Sequence, residues 1–164
     1  GVVDPLVLQF DNPVERFCIG TRLYIQMAVR YPLWGAFLRR VGSQLATRGQ
    51  LIETYLTRDL TLAHRKKMLS VNDVQVAHDI VLGSIFYGID SLLMKPGLAQ
   101  HPEKIVLHVL IGLGVPAKEA QRIAFMPLPV AGAVEGPIFS KLKQKPPSPL
   151  KRASQRISAA SAKV

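Results

Sequence analysis

The sequence has a single cysteine among its 164 residues, Cys18, so no disulfide can form within the chain. Such a chain is typical of a reducing, cytoplasmic compartment, and it depends on a hydrophobic core for its stability. Phe17 and Ile19 flank the cysteine. Their apolar character favours a packed core thiol over a reactive one.

Long hydrophobic runs are also missing. No run reaches the roughly 18 apolar residues that a membrane-spanning helix requires, since Asp79 and Asp90 interrupt one candidate and His108 the other. The opening GVVDP lacks the basic start and apolar centre of a signal peptide. The sequence therefore predicts a cytoplasmic protein without a membrane partner. Its start at Gly1, with no initiator methionine, is compatible with a piece of a longer chain.

Patterns for metal binding and catalysis are lacking as well. The histidines at 64, 78, 101 and 108 have neither the spacing nor the neighbouring ligands of a zinc or iron site. The serines lie in no nucleophile elbow, so a catalytic triad is unsupported. We therefore expect no metal, no cofactor and no enzymatic activity.

One motif imitates a dinucleotide site. Residues 112–117 match the pattern G-x-G-x-x-A that opens such sites. However, a helix rather than a strand is predicted before it, and Pro116 removes an N–H group that a phosphate would bind. A glycine at the end of one helix and a proline at the start of the next explain the same residues.

Acidic residues are absent from the end of the chain, where much of the net charge of +10 is concentrated. Seven of the 21 basic residues and none of the 11 acidic residues lie in 141–164. Proline, glycine, serine and lysine dominate 131–164, which predicts a disordered basic tail. The tail is interpreted as a solvated linker, with loose contact to nucleic acid or anionic lipid as the alternative. The nearly neutral body lacks the cation clusters of a phosphate-binding face.

The residues that are present favour helices. Apolar residues recur at helical spacing, and the alternation typical of strands is absent. Asn12, Pro13 and Glu15 form a strong helix start, and Pro32 ends that helix. We predict an all-α bundle of five to six helices over 12–130, after an extended lead-in, or the stub of a preceding element, at 1–11. The predicted helices lie at about 13–31, 32–41, 50–64, 73–94, 102–114 and 115–125.

Two neighbouring helices within Asn72–Gly114 are more apolar than a single buried stripe requires. Asn72 or Asp73 is expected to cap the first of them, which runs to about Met94. Small residues share one face of this helix, a pattern that favours the close approach of another helix, whereas larger apolar residues face the core. The small residues are Ala77, Ser84, Gly88 and Ser91.

Polar groups among aromatic side chains from several helices suggest a ligand pocket. Asp59 shares a helix face with apolar residues and needs a partner, a water or a ligand, and Asp90 lies inside an otherwise apolar helix. Most of such an aromatic set is ordinarily core, but a bundle that encloses a few convergent polar groups can hold a small ligand. The candidate ligand-binding residues are Phe17, Thr21, Tyr24, Trp34, Phe37, Tyr55, Asp59, Phe86 and Asp90.

Several segments, in this order and spacing, resemble the C-terminal domain of TetR-family transcriptional regulators. They are NPVERF at 12–17, AVRYPLW at 28–34, VLGSI at 81–85 in the helix that opens at Asn72, and HPEKIVLHVLIGLGVPAKEAQRIAFMPLP at 101–129. The last segment is similar to the closing helix pair of many family members. The resemblance covers roughly residues 11–129.

The resemblance implies a homodimer built through the last two major helices, a ligand pocket in the bundle, and a ligand-driven rotation that moves DNA-binding heads apart. The family's helix-turn-helix lies N-terminal to this region and is not present here. Either the chain is the effector-binding half, or the protein has lost its DNA reader. Operator DNA is thus expected as a partner only through a domain that this chain does not contain.

From these observations we predict the effector-sensing and homodimerisation domain of a bacterial TetR-type regulator that binds a small, mostly hydrophobic molecule. The alternatives are a helical enzyme or carrier for a hydrophobic substrate, with Asp59 or Asp90 as its polar group, and a purely structural helical dimer. The expected dimer interface comprises Ala77, Ser84, Gly88, Ser91, Leu107, Leu110 and Ile111.

Overall fold

The computed structural model describes residues 3–46 and 51–132, and this part of the chain is helical and contains no strand. The all-α prediction is therefore confirmed. The predicted basic tail lies almost entirely outside the described residues. The helices are α1 (Asp4–Val7), α2 (Pro13–Arg30), α3 (Pro32–Ala46), α4 (Leu51–Arg65), α5 (Val74–Met94), α6 (His101–Gly112) and α7 (Ala117–Ala124).

The starts of α2 and α5 follow from local chemistry. The side-chain oxygen of Asn12 accepts a hydrogen bond of 2.8 Å from the backbone N–H of Val14. Asp73 caps α5 in the same way, accepting a 2.8 Å hydrogen bond from the backbone N–H of Gln75. Both caps satisfy N–H groups that the first turn of a helix leaves without a partner. These predicted starts are confirmed, as is the end of α5 at Met94.

Two segments differ from the sequence prediction. Of the two alternatives for the lead-in, the extended one is wrong, because residues 4–7 form α1, and Val7 is buried against Ile19 and Leu23 of α2. The third helix continues to Ala46, past the predicted stop at Gly42. A glycine inside a helix costs only about 1 kcal/mol. So small a penalty does not end the helix at this position.

Helix α2 lies at the centre of the bundle and contacts α1, α3, α4, α5, α6 and α7. Its side chains are accordingly buried on more than one face, as Cys18, Ile19 and Ile25 illustrate with no measurable exposure. Helix α5 is the second core helix and packs against α2, α3, α4 and α6. The space between α2, α3, α4 and α5 is therefore the interior of the bundle.

Within the described ranges, α5 is the one helix with the length and composition to cross a membrane, with 21 residues and a mean hydropathy of 1.3 over its most apolar window. The sequence prediction counted Asp79 and Asp90 as interruptions, whereas the average over the window tolerates them. A third of this window is buried inside the bundle. The core helix of a folded bundle can have the same length and hydropathy, so these two properties are weak evidence for a membrane-spanning helix.

The corner between α2 and α3 depends on Gly35. A methyl group at this position would overlap the backbone carbonyl oxygen of Ala28 and would lie 3.2 Å from Cδ1 of Leu93. The missing side chain thus lets α3 approach both α2 and α5 closely. This approach places Trp34 beside Tyr24, with their ring centroids 5.0 Å apart.

We expect Gly35→Ala to lower the free energy of unfolding by about 1–3 kcal/mol, because the overlapping atom belongs to the backbone and cannot rotate away. Gly83→Ala is the matched control, since Gly83 is an exposed helical glycine of α5 with no described atom within 4 Å of an added methyl. The free energy of unfolding of this control should rise by about 0.5–1 kcal/mol, because alanine has a higher helix propensity than glycine. Urea unfolding measures both changes, and equal effects would contradict the close approach.

Candidate functional site

Helices α2 and α3 bring several predicted ligand-binding residues together. Phe17, Thr21 and Tyr24 lie on successive turns of α2, and the first two are buried. The rings of Tyr24 and Trp34 pack edge to face at an interplanar angle of 72°. Phe86 of α5 packs, partly buried, against the same core cluster as Phe17. These residues form an apolar and aromatic region in the interior.

Burial strengthens the hold of two groups in this region on their protons. It raises the pKa of the Tyr24 phenol to about 12, further above physiological pH than that of a free phenol, so the hydroxyl is available as a hydrogen-bond donor. Burial also raises the pKa of the Cys18 thiol. Cys18 is completely buried, as the sequence predicts, and its thiol form is a poor nucleophile.

Asp59 of α4 lies in a buried network of charges. Its side chain is almost inaccessible, and its Oδ1 accepts hydrogen bonds from Nε of Arg16 at 2.9 Å and from Nε of Arg58 at 3.0 Å. Its Oδ2 accepts a further hydrogen bond of 2.9 Å from Nη2 of Arg58. The acid that the sequence marks as needing a partner therefore has two guanidinium partners inside the protein.

Arg58 extends this network to the first helix. Its Nη1 lies 3.1 Å from Oδ1 of Asp4 in α1, and its guanidinium carbon lies 5.3 Å from the ring centroid of Tyr55, within the range of a cation–π contact. The hydrogen bonds to Asp59 raise the pKa of Arg58. One guanidinium group thus connects α1 with α4, and Asp59 connects both with Arg16 of α2. We call Asp4, Arg16, Arg58 and Asp59 the Arg58 network.

Two of the predicted ligand-binding residues lie apart from the interior. The ring of Phe37 is 55% exposed. Asp90 is also partly exposed, and its Oδ1 pairs with Nε of Arg39 at 2.9 Å on the surface of α3 and α5. Neither residue belongs with the interior group, because the actual rotations of α3 and α5 turn these positions outward. Helix periodicity alone leaves that rotation undetermined.

The sequence analysis missed His78 and Arg22 as buried polar residues. His78 is 7% exposed and lies on the core face of α5, and its spacing from the buried Ile85 and Ile89 was a signal that could have revealed it. Arg22 is buried in α2, where its Nη2 donates to Oε1 of Glu103 at 3.0 Å. Its Nη1 donates to the backbone carbonyl of Met126 at 2.6 Å. Arg22 therefore ties α2 to α6 and to the segment after α7.

A surface groove of about 540 Å³ lies between α5 and α6. Ser84, Gly88 and Ser91, which belong to the expected dimer interface, line one side of it, and the α6 side includes Lys104 and His108. Large apolar side chains stand exposed on and beside the groove. They are Val76, Ile80 and Tyr87 of α5 and Ile111 of α6. We call the groove and these side chains the α5–α6 face.

Four of the expected interface residues serve the packing of the single chain. Ala77 and Leu110 are completely buried within it, so they do not belong to its surface. A methyl group at Gly88 would lie 2.5 Å from Cδ1 of Ile105, so the small residue already permits the close approach of α6. Leu107 is partly buried against the core. The spacing of small residues on α5 therefore reflects, in part, helix packing inside the chain.

Comparison with known proteins identifies related folds. The sequence profile of one family, described as "Tetracyclin repressor-like, C-terminal domain", matches residues 12–125. No curated protein sequence matches the chain significantly. Among solved structures, RolR in complex with the ligand resorcinol is similar with a TM-score of 0.70 and 23% identity, over 80% of this chain and 65% of that chain. RolR without ligand is similar with a TM-score of 0.67 and 24% identity, over 79% of this chain and 66% of RolR. This chain thus spans slightly less than two thirds of the length of RolR.

Removal of Asp59, the central acid of the Arg58 network, should lower the stability of the fold strongly. We expect Asp59→Asn to lower the free energy of unfolding by about 3 kcal/mol, because two guanidinium groups lose the buried charge that they pair with. Asp90→Asn, in a partly exposed ion pair, should cost at most about 1 kcal/mol. Chemical denaturation at pH 7 measures both. Equal losses would show that the network contributes no more than a surface pair.

Proposed function

The chain belongs to the family of tetracyclin repressor-like C-terminal domains, and from this premise we propose that it is the effector-sensing and homodimerisation domain of a bacterial transcriptional regulator. The observation that carries the proposal is the family match over residues 12–125, which spans all helices from α2 to α7. In this proposal a helix-turn-helix domain upstream of the chain binds operator DNA. The molecule that the domain senses changes that DNA binding.

We propose that the effector binds in the interior between α2, α3, α4 and α5. Phe17, Trp34 and Phe86 supply apolar and aromatic walls, and Thr21 and Tyr24 supply hydroxyl groups. Mostly apolar walls with a few hydrogen-bonding groups are typical of sites for small molecules. The ligand class that fits is a small hydrophobic molecule with one or two polar groups. Resorcinol, the ligand of the similar RolR structure, is an aromatic molecule of this kind.

The Arg58 network supplies a physical connection between this interior and the start of the chain. Asp4 belongs to α1, the first described helix, and the proposed DNA-binding domain would precede it. A ligand that binds one arrangement of α2 and α4 better than another shifts the population between them. Because Arg58 ties α1 to Asp59 and through it to Arg16, such a shift would also move α1.

The α5–α6 face is the proposed homodimer interface. A two-fold dimer places the same face of both subunits together, and such interfaces have an apolar core with aromatic residues. Tyr87 is 80% exposed, and Ile80 and Ile111 are exposed beside it. Burial of these side chains against a second copy removes apolar area from water, which stabilises the dimer.

The geometry offers little support for the enzyme or carrier alternative. Acid/base catalysis requires a carboxyl group that can reach a substrate and exchange a proton. Asp59 is engaged by two guanidinium groups, and Asp90 is paired with Arg39 on the surface. A sensor without catalytic activity accounts for both acids as ion-pair partners.

The effector proposal predicts stabilisation by small aromatic molecules. Thermal unfolding with a panel that includes resorcinol should show at least one compound that raises Tm by several degrees, since a ligand at 100 times its Kd adds about 2.7 kcal/mol. Trp34→Ala should lower the apparent affinity for that compound tenfold or more, because it removes a wall of the site. Phe37→Ala, at an exposed position of the same helix, should leave it unchanged. A broad panel without any stabilising compound would contradict the proposal.

The dimer proposal predicts a change of assembly state when charge is placed on the α5–α6 face. We expect Tyr87→Glu to convert the dimer to monomer in analytical ultracentrifugation, because two carboxylates would approach each other across the two-fold axis. Tyr87 is exposed in the single chain, so its replacement should not disturb the core. Leu33→Glu, at an exposed apolar position of α3, is the control and should remain dimeric. An unchanged Tyr87→Glu dimer would place the interface elsewhere.

A further inference from the structure

His78 is buried without a hydrogen-bond partner. Only 7% of the residue is exposed, and neither ring nitrogen has a partner among the described residues. The carboxylate of the adjacent Asp79 lies 3.7 Å from Nδ1, which is too long for a hydrogen bond. Buried polar groups in native proteins are nearly always hydrogen-bonded, so this exception requires an explanation.

Packing does not provide that explanation. A neutral imidazole carries one donor and one acceptor, and each loses its water on burial. An apolar side chain of similar size would fill the same volume without that cost. A histidine that serves only as a core residue would therefore be less favourable than leucine at this position.

The imidazole faces the interior of the bundle. His78 shares a face of α5 with Ile85 and Ile89, which follow it at helical spacing and belong to the main core cluster. This cluster also contains Phe17 of α2 and Leu60 of α4. The described members of this cluster are thus apolar, and none of them is a hydrogen-bond partner of either ring nitrogen.

We propose that His78 is a further polar contact of the effector site and that it selects ligands with a hydroxyl group on an apolar body. The hydroxyl would donate to the unprotonated ring nitrogen, or an oxygen of the ligand would accept from the protonated one. The inference rests on the proposed function, since it assigns a ligand contact within the same interior. It adds a specificity-determining residue and the class of ligand, small phenols and related alcohols.

Phenol and toluene test the assignment, because they share shape and differ by a hydroxyl in place of a methyl group. Isothermal titration calorimetry gives the ratio of phenol affinity to toluene affinity for each variant. We expect His78→Leu to lower this ratio at least tenfold, mainly through weaker binding of phenol. His64→Leu replaces a partly exposed histidine near the end of α4 and should leave the ratio unchanged. An unchanged ratio in His78→Leu overturns the assignment while the proposed function stands.

If the wild-type chain binds neither phenol nor toluene, both the assignment of His78 and the proposed site for small aromatic effectors are wrong.

The stability of the variant provides a second test. Without ligand, His78→Leu should unfold at the same Tm as the wild type or a higher one, because it removes an unpaired buried polar group. A clearly lower Tm would show that His78 makes a structural hydrogen bond, and this would overturn the assignment.

A measurement on the wild type keeps the test independent of how the variant folds. In nitrogen-15 NMR spectra of the histidine rings, phenol should shift the nitrogen resonances of the buried His78, whereas toluene should leave them nearly unchanged. Equal shifts with both probes, or none with phenol, would overturn the assignment. The rings of His64, His101 and His108, which are exposed or half-buried, serve as internal references.

Discussion

The structure depends on the burial of α2 from several sides at once. A polar side chain that such a helix places between its neighbours cannot reach water, so each buried charge on it needs a partner from a neighbouring helix. Arg16 finds this partner in Asp59 of α4, and Arg22 finds it in Glu103 of α6. The backbone carbonyl of Met126 accepts a further hydrogen bond from Arg22. These pairs connect α4, α6 and the segment after α7 to the central helix.

The same arrangement separates the tasks of the domain. The Arg58 network lies where α1 meets α2 and α4, whereas the aromatic pair of Tyr24 and Trp34 lies where α2 meets α3. Helix α5 contributes its core face to the interior and its opposite face to the groove with α6. In the proposed function, ligand binding and assembly share α5, and α1 carries the response toward a preceding domain.

Individual residues show why some predictions from the sequence are confirmed and others are not. Asn12 and Asp73 cap their helices through bonds to N–H groups two residues away, so neighbouring residues suffice to predict them. The predicted end of α3 at Gly42 is wrong, because a glycine inside a helix carries only a small local penalty and the helix continues to Ala46. Asp59 is recognised as an acid in need of a partner, but its partner Arg16 is 43 positions away in the chain.

The sequence by itself determined the class of the fold, the family and the starts of the central helices, because periodicity, caps and short motifs act over a few residues. The tertiary structure alone decided how each helix is rotated about its axis. That rotation places Asp90 on the surface and His78 in the core, and it buries Ala77 and Leu110 within the chain. A helix with apolar residues on several faces is compatible with several rotations. Only the simultaneous packing of all its neighbours selects one of them.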